Sequence, residues 1–209
     1  MPGTYTVKLL VDGAVYTQTL VVHNDPRIGE SPGVMSALRA QNKMAMAAWQ
    51  GMKDSYAANE EVAAVRAQLA AISKGTLPPD VATAATALDA KLATIGGAPP
   101  GRGGGGGGGF GAPARAPGSV LTFRSISGIF NTVLAPLAQN GLDMPPTKAE
   151  VDTMESGCKE FTATVNAWKT MLGVDLVGFN SLLTKNNLTP LKITATALAA
   201  PASCTFVFK

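Results

Sequence analysis

At 209 residues and 46% apolar, the chain can build one ordinary domain or two small ones, since domains cluster at roughly 100–150 residues. Only 15% of residues are charged, against roughly 25% in average soluble domains, and the net charge of +3 comes from scattered Lys and Arg, so nucleic acid is not an expected partner. No run of about 18 apolar residues can span a membrane, no signal-like n- and h-region opens the chain, and two cysteines with one histidine are too few for a Cys/His metal site.

Residues 4–22 alternate strongly and contain Asp12-Gly13, whose tolerance of positive φ suits a two-residue type I′ turn. A β-hairpin is predicted. With Val11 paired to Ala14, Leu9 falls opposite Tyr16 and Tyr5 opposite Leu20, so Tyr5, Leu9, Val11, Tyr16, Leu20 and Val22 share one apolar face. A two-stranded ribbon is marginal in water, and that face needs cover. The economical expectation for residues 1–27 is the last two strands of an incomplete Ig-like sandwich whose earlier strands lie upstream. Packing on the helices, or strand exchange with another chain, are the alternatives.

His-Asn-Asp-Pro at 23–26 breaks the strand, and Ser31-Pro32 reads as an N-cap followed by an N1 proline. Met35, Leu38, Asn42, Ala45, Trp49, Met52 and Tyr56 recur three and four apart, and Val62, Val65, Leu69 and Ile72 continue after a slip. One long helix, or two nearly collinear ones, is predicted over 31–74, with Gly75 at C′. Leu77-Pro78-Pro79-Asp80 is a stop and a new start. Val81, Ala85, Leu88, Leu92 and Ile95 then make the stripe of a second, antiparallel helix, so that 31–95 is a helical hairpin.

Residues 96–118 are a glycine- and proline-rich segment that reads as a flexible linker or loop. A phosphate-cradling glycine loop is set aside, because no strand precedes it and no Lys-Ser/Thr follows. Residues 119–190 read as three further helices packing on the first pair. Ser119 is the expected cap of the third, whose apolar edge is Phe123, Ile126, Phe130, Val133 and Leu137, with Pro136 kinking or ending it and Asn140-Gly141 closing the segment. Pro145-Pro146-Thr147 opens the fourth, with Val151, Met154, Cys158, Phe161, Val165, Trp168 and Leu172 in strict alternation of threes and fours. Gly173 is expected to end it before a shorter fifth helix. Residues 191–209 form a tail that is either disordered or adds a strand beside the hairpin, through Cys204, Phe206 and Phe208. The fold class is therefore α+β and mainly α: an N-terminal β-hairpin, then an antiparallel four- to five-helix bundle interrupted by a Gly-rich loop.

No catalytic constellation emerges. Glu60, Glu61 and Asp54 read as solvated helix faces, while Glu150, Asp152 and Glu155 complement the first turns of the fourth helix. His23 lies at a strand exit with nothing to hold it as a general base. Trp49 and Trp168, and the methionines of the first helix, read as core; Asn187-Leu188-Thr189 is a weak glycosylation sequon followed by Pro190. Cys158 and Cys204 are either a disulfide formed in an oxidising compartment or two buried thiols. No cofactor, metal or catalytic residue is expected; the candidate interaction edge is the apolar hairpin face together with Phe206 and Phe208.

PGTYTVKLLVDGAVYTQTLVVHNDPR, then a helical pair, a variable linker, PPTKAEVDTMESGCKEFTATVNAW and DLVGFNSLLTKNNLTPL resemble, over residues 2–192, the C-terminal region of a bacterial family. Its members are large exported proteins with sortilin-like or sialidase-like repeat β-propellers, often described as glycosyl hydrolases. The resemblance implies that a propeller and a small Ig-like domain precede this region. It implies an extracellular or periplasmic location directed by sequence outside the chain, and the upstream propeller and Ig-like domains as partners. No propeller catalytic residue carries over, because no position here matches a propeller motif. The long glycine run and the tail after Leu191 depart from the pattern. The expected function is a non-catalytic accessory or interaction module; the alternative is a self-assembling subunit, an oligomer or filament, in which identical chains pair through the hairpin edge and the C-terminal strand.

Overall fold

The structure, a computed structural model, describes residues 1–27, 29, 31–97, 119–139, 144–192 and 198–206, with the side chains of 138 and 139 excepted. The Gly-rich segment from 98 to 118 and the Asn140-Gly141 closure lie outside the described residues. The described chain is mainly helical with an N-terminal two-stranded antiparallel hairpin.

Strands β1 (Gly3–Val11) and β2 (Ala14–Val22) pair as the spacing predicts, with Val11 against Ala14, Leu9 against Tyr16 and Tyr5 against Leu20. Asp12 and Gly13 sit at φ 47° and 84°. Both values are positive, as a type I′ turn requires, and the turn's twist matches that of the strands it joins.

Helix α1 (Pro32–Ile72) is one unbroken rod of 41 residues. Ser31 caps it, its Oγ accepting from the Val34 N–H at 3.4 Å, and Pro32 takes N1 without losing a needed donor. Its buried face differs from the expected one in the first half. Met44, Ala48, Ser55 and Ala58 are fully buried, while Trp49 is 43% and Tyr56 64% exposed. The cause is close packing: a Cβ placed at Gly51 would lie 2.6 Å from the Phe130 ring, so the face with the smallest side chains turns inward. Ser55 satisfies its buried hydroxyl by donating to the Gly51 carbonyl at 2.7 Å.

Helix α2 (Pro79–Gly96) buries all five stripe residues, Val81, Ala85, Leu88, Leu92 and Ile95. Helix α3 (Phe123–Gln139) starts later than expected: Thr122, not Ser119, is the cap, its Oγ1 accepting from the Ser125 N–H at 3.1 Å. Pro136 stays inside the helix. Helix α4 (Lys148–Thr170) opens with a reciprocal capping box between Thr147 and Glu150.

Gly173 does not end α4. A π-helical turn (Met171–Leu176) carries the chain into α5 (Val177–Lys185), with helical backbone at both junctions. The wider turn resets the stripe, so Trp168 is followed by buried Leu176, Phe179 and Leu183 while Val174 and Val177 point to solvent. A glycine inside a helix costs only about 1 kcal/mol relative to alanine, less than burying these side chains returns.

One hydrophobic cluster draws on all five helices and on none of the hairpin. Phe130 and Phe123 both meet Phe161 edge-on, with centroids 6.2 Å apart. Buried polar groups are answered across helices: Thr164 donates to the Leu121 carbonyl at 2.9 Å, and the Trp168 indole N–H reaches Glu61 at 3.4 Å.

The described part of the tail lies on the helices and adds no strand to the hairpin, so that expectation is corrected. Asn180 clamps Leu191, accepting its N–H at 2.8 Å and donating to its carbonyl at 3.1 Å. Gln68 clamps Lys192 in the same way, at 2.9 and 2.8 Å. Leu191 is buried, and Leu198, Ala200 and Phe206 pack against the core.

Candidate interaction surface

The hairpin presents two chemically different faces. One carries Tyr5, Val7, Leu9, Val11, Tyr16, Leu20 and Val22; the other is rich in threonine, with Lys8, and has Leu10, Val15 and Val21 toward its ends. Every residue of both strands is exposed, Tyr16 by 61% and Leu9 by 59%. Neither strand contacts a helix.

Among the described residues the edges are equally bare. In a two-stranded sheet each strand leaves one row of N–H and C=O groups unpaired, which templates further pairing unless charge, proline or a bulge blunts it. Here the strands hold one charged residue, Lys8, no proline, and unbroken one-to-one pairing from Gly3 to Val22. Covering seven large apolar side chains at about 1.5 kcal/mol each gives on the order of 10 kcal/mol, comparable to the association cost of roughly 4–15 kcal/mol. The ribbon has the chemistry of an interior sheet and the surroundings of a surface.

The junction to α1 is fastened by polar contacts. Asn24 Nδ2 donates to the Gly29 carbonyl at 2.9 Å and reaches Met35 Sδ at 3.5 Å. Arg27 Nε sits 3.0 and 3.1 Å from the Asp25 carboxylate oxygens, Nη2 also bonds Oδ2, and the Arg27 backbone N–H donates to Oδ1 at 2.9 Å. The guanidinium, then that N–H, hold the Asp25 carboxyl below its ordinary value of 3.8.

The other expected interaction residues are placed elsewhere. Cys158 and Cys204 are joined as a disulfide, with Cα atoms 5.4 Å apart, which ties the tail to α4. Phe206 is half-buried on the helical core and its N–H donates to Glu155 at 3.0 Å, so it does not share an edge with the hairpin. Phe208 lies outside the described residues.

The polar residues weighed for catalysis stay dispersed. Glu61 accepts from Trp168, Glu150 belongs to the capping box, Asp152 pairs with Lys148 one turn away, and His23 is exposed just past β2. Among the described residues no group of three or more His, Cys, Asp or Glu side chains could hold a metal ion, and no described helix is long and apolar enough to cross a membrane.

No known family, curated protein or solved structure matches this chain. One feature the sequence did not signal is a cleft between α1, α2 and α3, lined in part by exposed alanines of α1. Periodicity marks apolar stripes that turn inward, and it is silent on a small-residue face left open.

Proposed function

We propose that this chain is a non-catalytic interaction module whose β-ribbon completes the sheet of a larger extracellular protein. The observation that carries this reading is the ribbon itself: two regular nine-residue strands, apolar on one face and threonine-rich on the other, with no cover among the described residues. That asymmetry is what a strand pair of a β-sandwich requires, one face packed inward at about 10 Å from a second sheet and one face wet. The partner this chemistry fits is an antiparallel sheet with an open apolar face and a free edge.

Two further observations support the reading. The resemblance to the C-terminal region of exported repeat-propeller proteins supplies such a partner, the remaining strands of an Ig-like domain in the same parent protein. The Cys158–Cys204 disulfide supports an extracellular or periplasmic location, since disulfides persist in oxidising compartments.

Self-assembly through the ribbon is the second reading, favoured by its two unpaired edges. A ribbon nine residues long and two strands wide covers only about 30 by 10 Å. Roughly 300 Å² falls short of the about 800 Å² per partner of a stable interface between separate chains, a requirement that does not apply to a sheet completed within one parent protein, and this favours the first reading.

A photo-crosslinking residue at Leu9 or Tyr16 in cells producing the protein tests this. Crosslinks to strand residues of an adjoining β-sandwich are expected. Crosslinks confined to the same ribbon of a second copy establish self-assembly, and crosslinks only to this chain's own helices overturn both. Hydrolysis of polysaccharides or sialosides by the purified chain overturns the non-catalytic part.

A further inference from the structure

Helix α1 carries a second stripe, on the far side from its buried residues. Met46, Trp49, Lys53 and Tyr56, then Glu60, Ala63, Ala67 and Ala70, recur three and four apart without a break, and all eight are exposed. Such a run is the seam that one helix offers to another. Its two halves differ in size. The first is a ridge, with Met46 55% exposed beside Trp49 and Tyr56; the second floors the cleft of about 940 Å³ between α1, α2 and α3, which stays open because its alanines are short.

The run also matches itself in reverse. Positions 46 and 70, 49 and 67, 53 and 63, and 56 and 60 are pairwise equidistant from Ala58. A second copy turned end for end about that point sets Met46 against Ala70, Trp49 against Ala67, Lys53 against Ala63 and Tyr56 against Glu60. The ridge of each copy then fills the cleft of the other, the isologous arrangement of a two-fold dimer. The charges agree with the shapes. Lys53 leans over Trp49, its Nζ 4.9 Å from the ring centroid, and among the described residues neither Lys53 nor Glu60 has an ion-pair partner. In the antiparallel register Lys53 lies three residues, about 4.5 Å along the axis, from the other copy's Glu60. Parallel pairing in register sets Lys53 on Lys53, Glu60 on Glu60 and ridge on ridge.

We propose that this face of α1 pairs antiparallel with the same face of a second copy of the chain, making a two-fold dimer. The stripe is about 36 Å long at 1.5 Å per residue, and where α2 and α3 flank it at spacings of about 8–10 Å the face is about 20 Å wide. Roughly 700 Å² per copy is close to the about 800 Å² of a standard interface and more than twice what the ribbon offers. A foreign helix would need this same order of large and small residues; a second copy brings it. The pairing leaves the ribbon free for its own partner.

The test is sedimentation equilibrium of the full chain at roughly 100 μM, which populates any dimer of micromolar affinity. A mass twice the 21.3 kDa of one chain is expected. Ala67→Glu, at an exposed helical position, sets a carboxylate against the other copy's Trp49 and should weaken association at least tenfold with the helical signal intact. Disulfide trapping gives an independent reading of the register, because Cys158 and Cys204 are already joined and no free cysteine competes. Met46→Cys combined with Ala70→Cys should trap covalent dimers on air oxidation, and neither single variant should. Leu9→Lys with Leu20→Lys on the ribbon should leave the dimer intact. A monomeric chain, a dimer indifferent to Ala67→Glu, trapping by Met46→Cys alone, or a dimer lost on charging the ribbon each overturns the proposal.

Discussion

Gly51 of α1 and Phe130 of α3 meet so closely that a Cβ at position 51 would lie 2.6 Å from ring atom Cε2. On the other side of the same ring, a Cβ at Gly157 of α4 would lie 3.3 Å from Cε1 and 2.9 Å from Ile129. Three helices therefore converge on one aromatic ring through two missing side chains, and this sets which face of α1 is inside.

Gly51→Ala is expected to lower stability by up to about 2 kcal/mol, the overpacking cost of roughly 1–3 kcal/mol outweighing a helix-propensity gain of about 1 kcal/mol. Gly128→Ala in α3 meets nothing within 4 Å, so it should raise stability by roughly 0.5–1 kcal/mol. Urea unfolding of both variants checks this through the opposite signs. Equal signs would mean that the Gly51 contact does not limit packing.

This contact also explains how far the sequence could be read. The hairpin register was legible because Asp12-Gly13 fixes the turn and alternation fixes the faces. Helices α2 and α4 were legible because their inward residues are large and apolar. In the first half of α1 the inward face is Met44, Ala48, Gly51 and Ser55, whose small members carry no hydropathy signal, so Trp49 and Tyr56 were placed inside although they are exposed. The π turn was hidden by Gly173, a residue that breaks helices in isolation but is carried here by the packing of Leu176 and Phe179. The tail's path depends on Gln68, 124 positions away from Lys192, a separation that no local pattern reports. Of the interaction surface, the ribbon was readable from the start; the cleft arises only where three helices meet.

The Cys158–Cys204 bond closes a loop of sequence separation 46, for which the chain-entropy relation gives about 4 kcal/mol. Reduction, or Cys204→Ser, should lower stability by about 2–4 kcal/mol, since the reduced state keeps the Asn180 and Gln68 clamps. Amide exchange at 198–206 should accelerate far more than exchange in α2. Uniform acceleration everywhere would show that the tail is part of the core and not a strap tied over it.

Asp25 titrates below its ordinary value of 3.8 because the Arg27 guanidinium and backbone N–H favour its charged form. A depressed folded-state value means that the pair's contribution is present above the unfolded pKa and fades as pH falls through the folded one. The Arg27 side chain is 87% exposed and the pair lies at the surface, so the expected change is in the titration and hardly in global stability. In an NMR pH titration, Arg27→Gln should return the Asp25 carboxyl toward 3.8; an unmoved midpoint would remove Arg27 as the cause.

Leu9→Lys combined with Leu20→Lys places two charges on the apolar face of the ribbon, where both positions are exposed and free of helix contact. Substitutions at such positions change stability by roughly 0.5 kcal/mol or less, so thermal unfolding of the helical body should be unaltered. Binding of an apolar fluorescent dye, or any association the ribbon mediates, should fall sharply, because burying an unpaired lysine in a sheet interface costs more than the leucine contributed. The two readouts separate the possibilities cleanly. If the ribbon were only a passenger, no association would be lost and the midpoint would stay; if it packed on the helices, the unfolding midpoint would drop; a lost association with an unchanged midpoint leaves the ribbon as a surface made for another sheet.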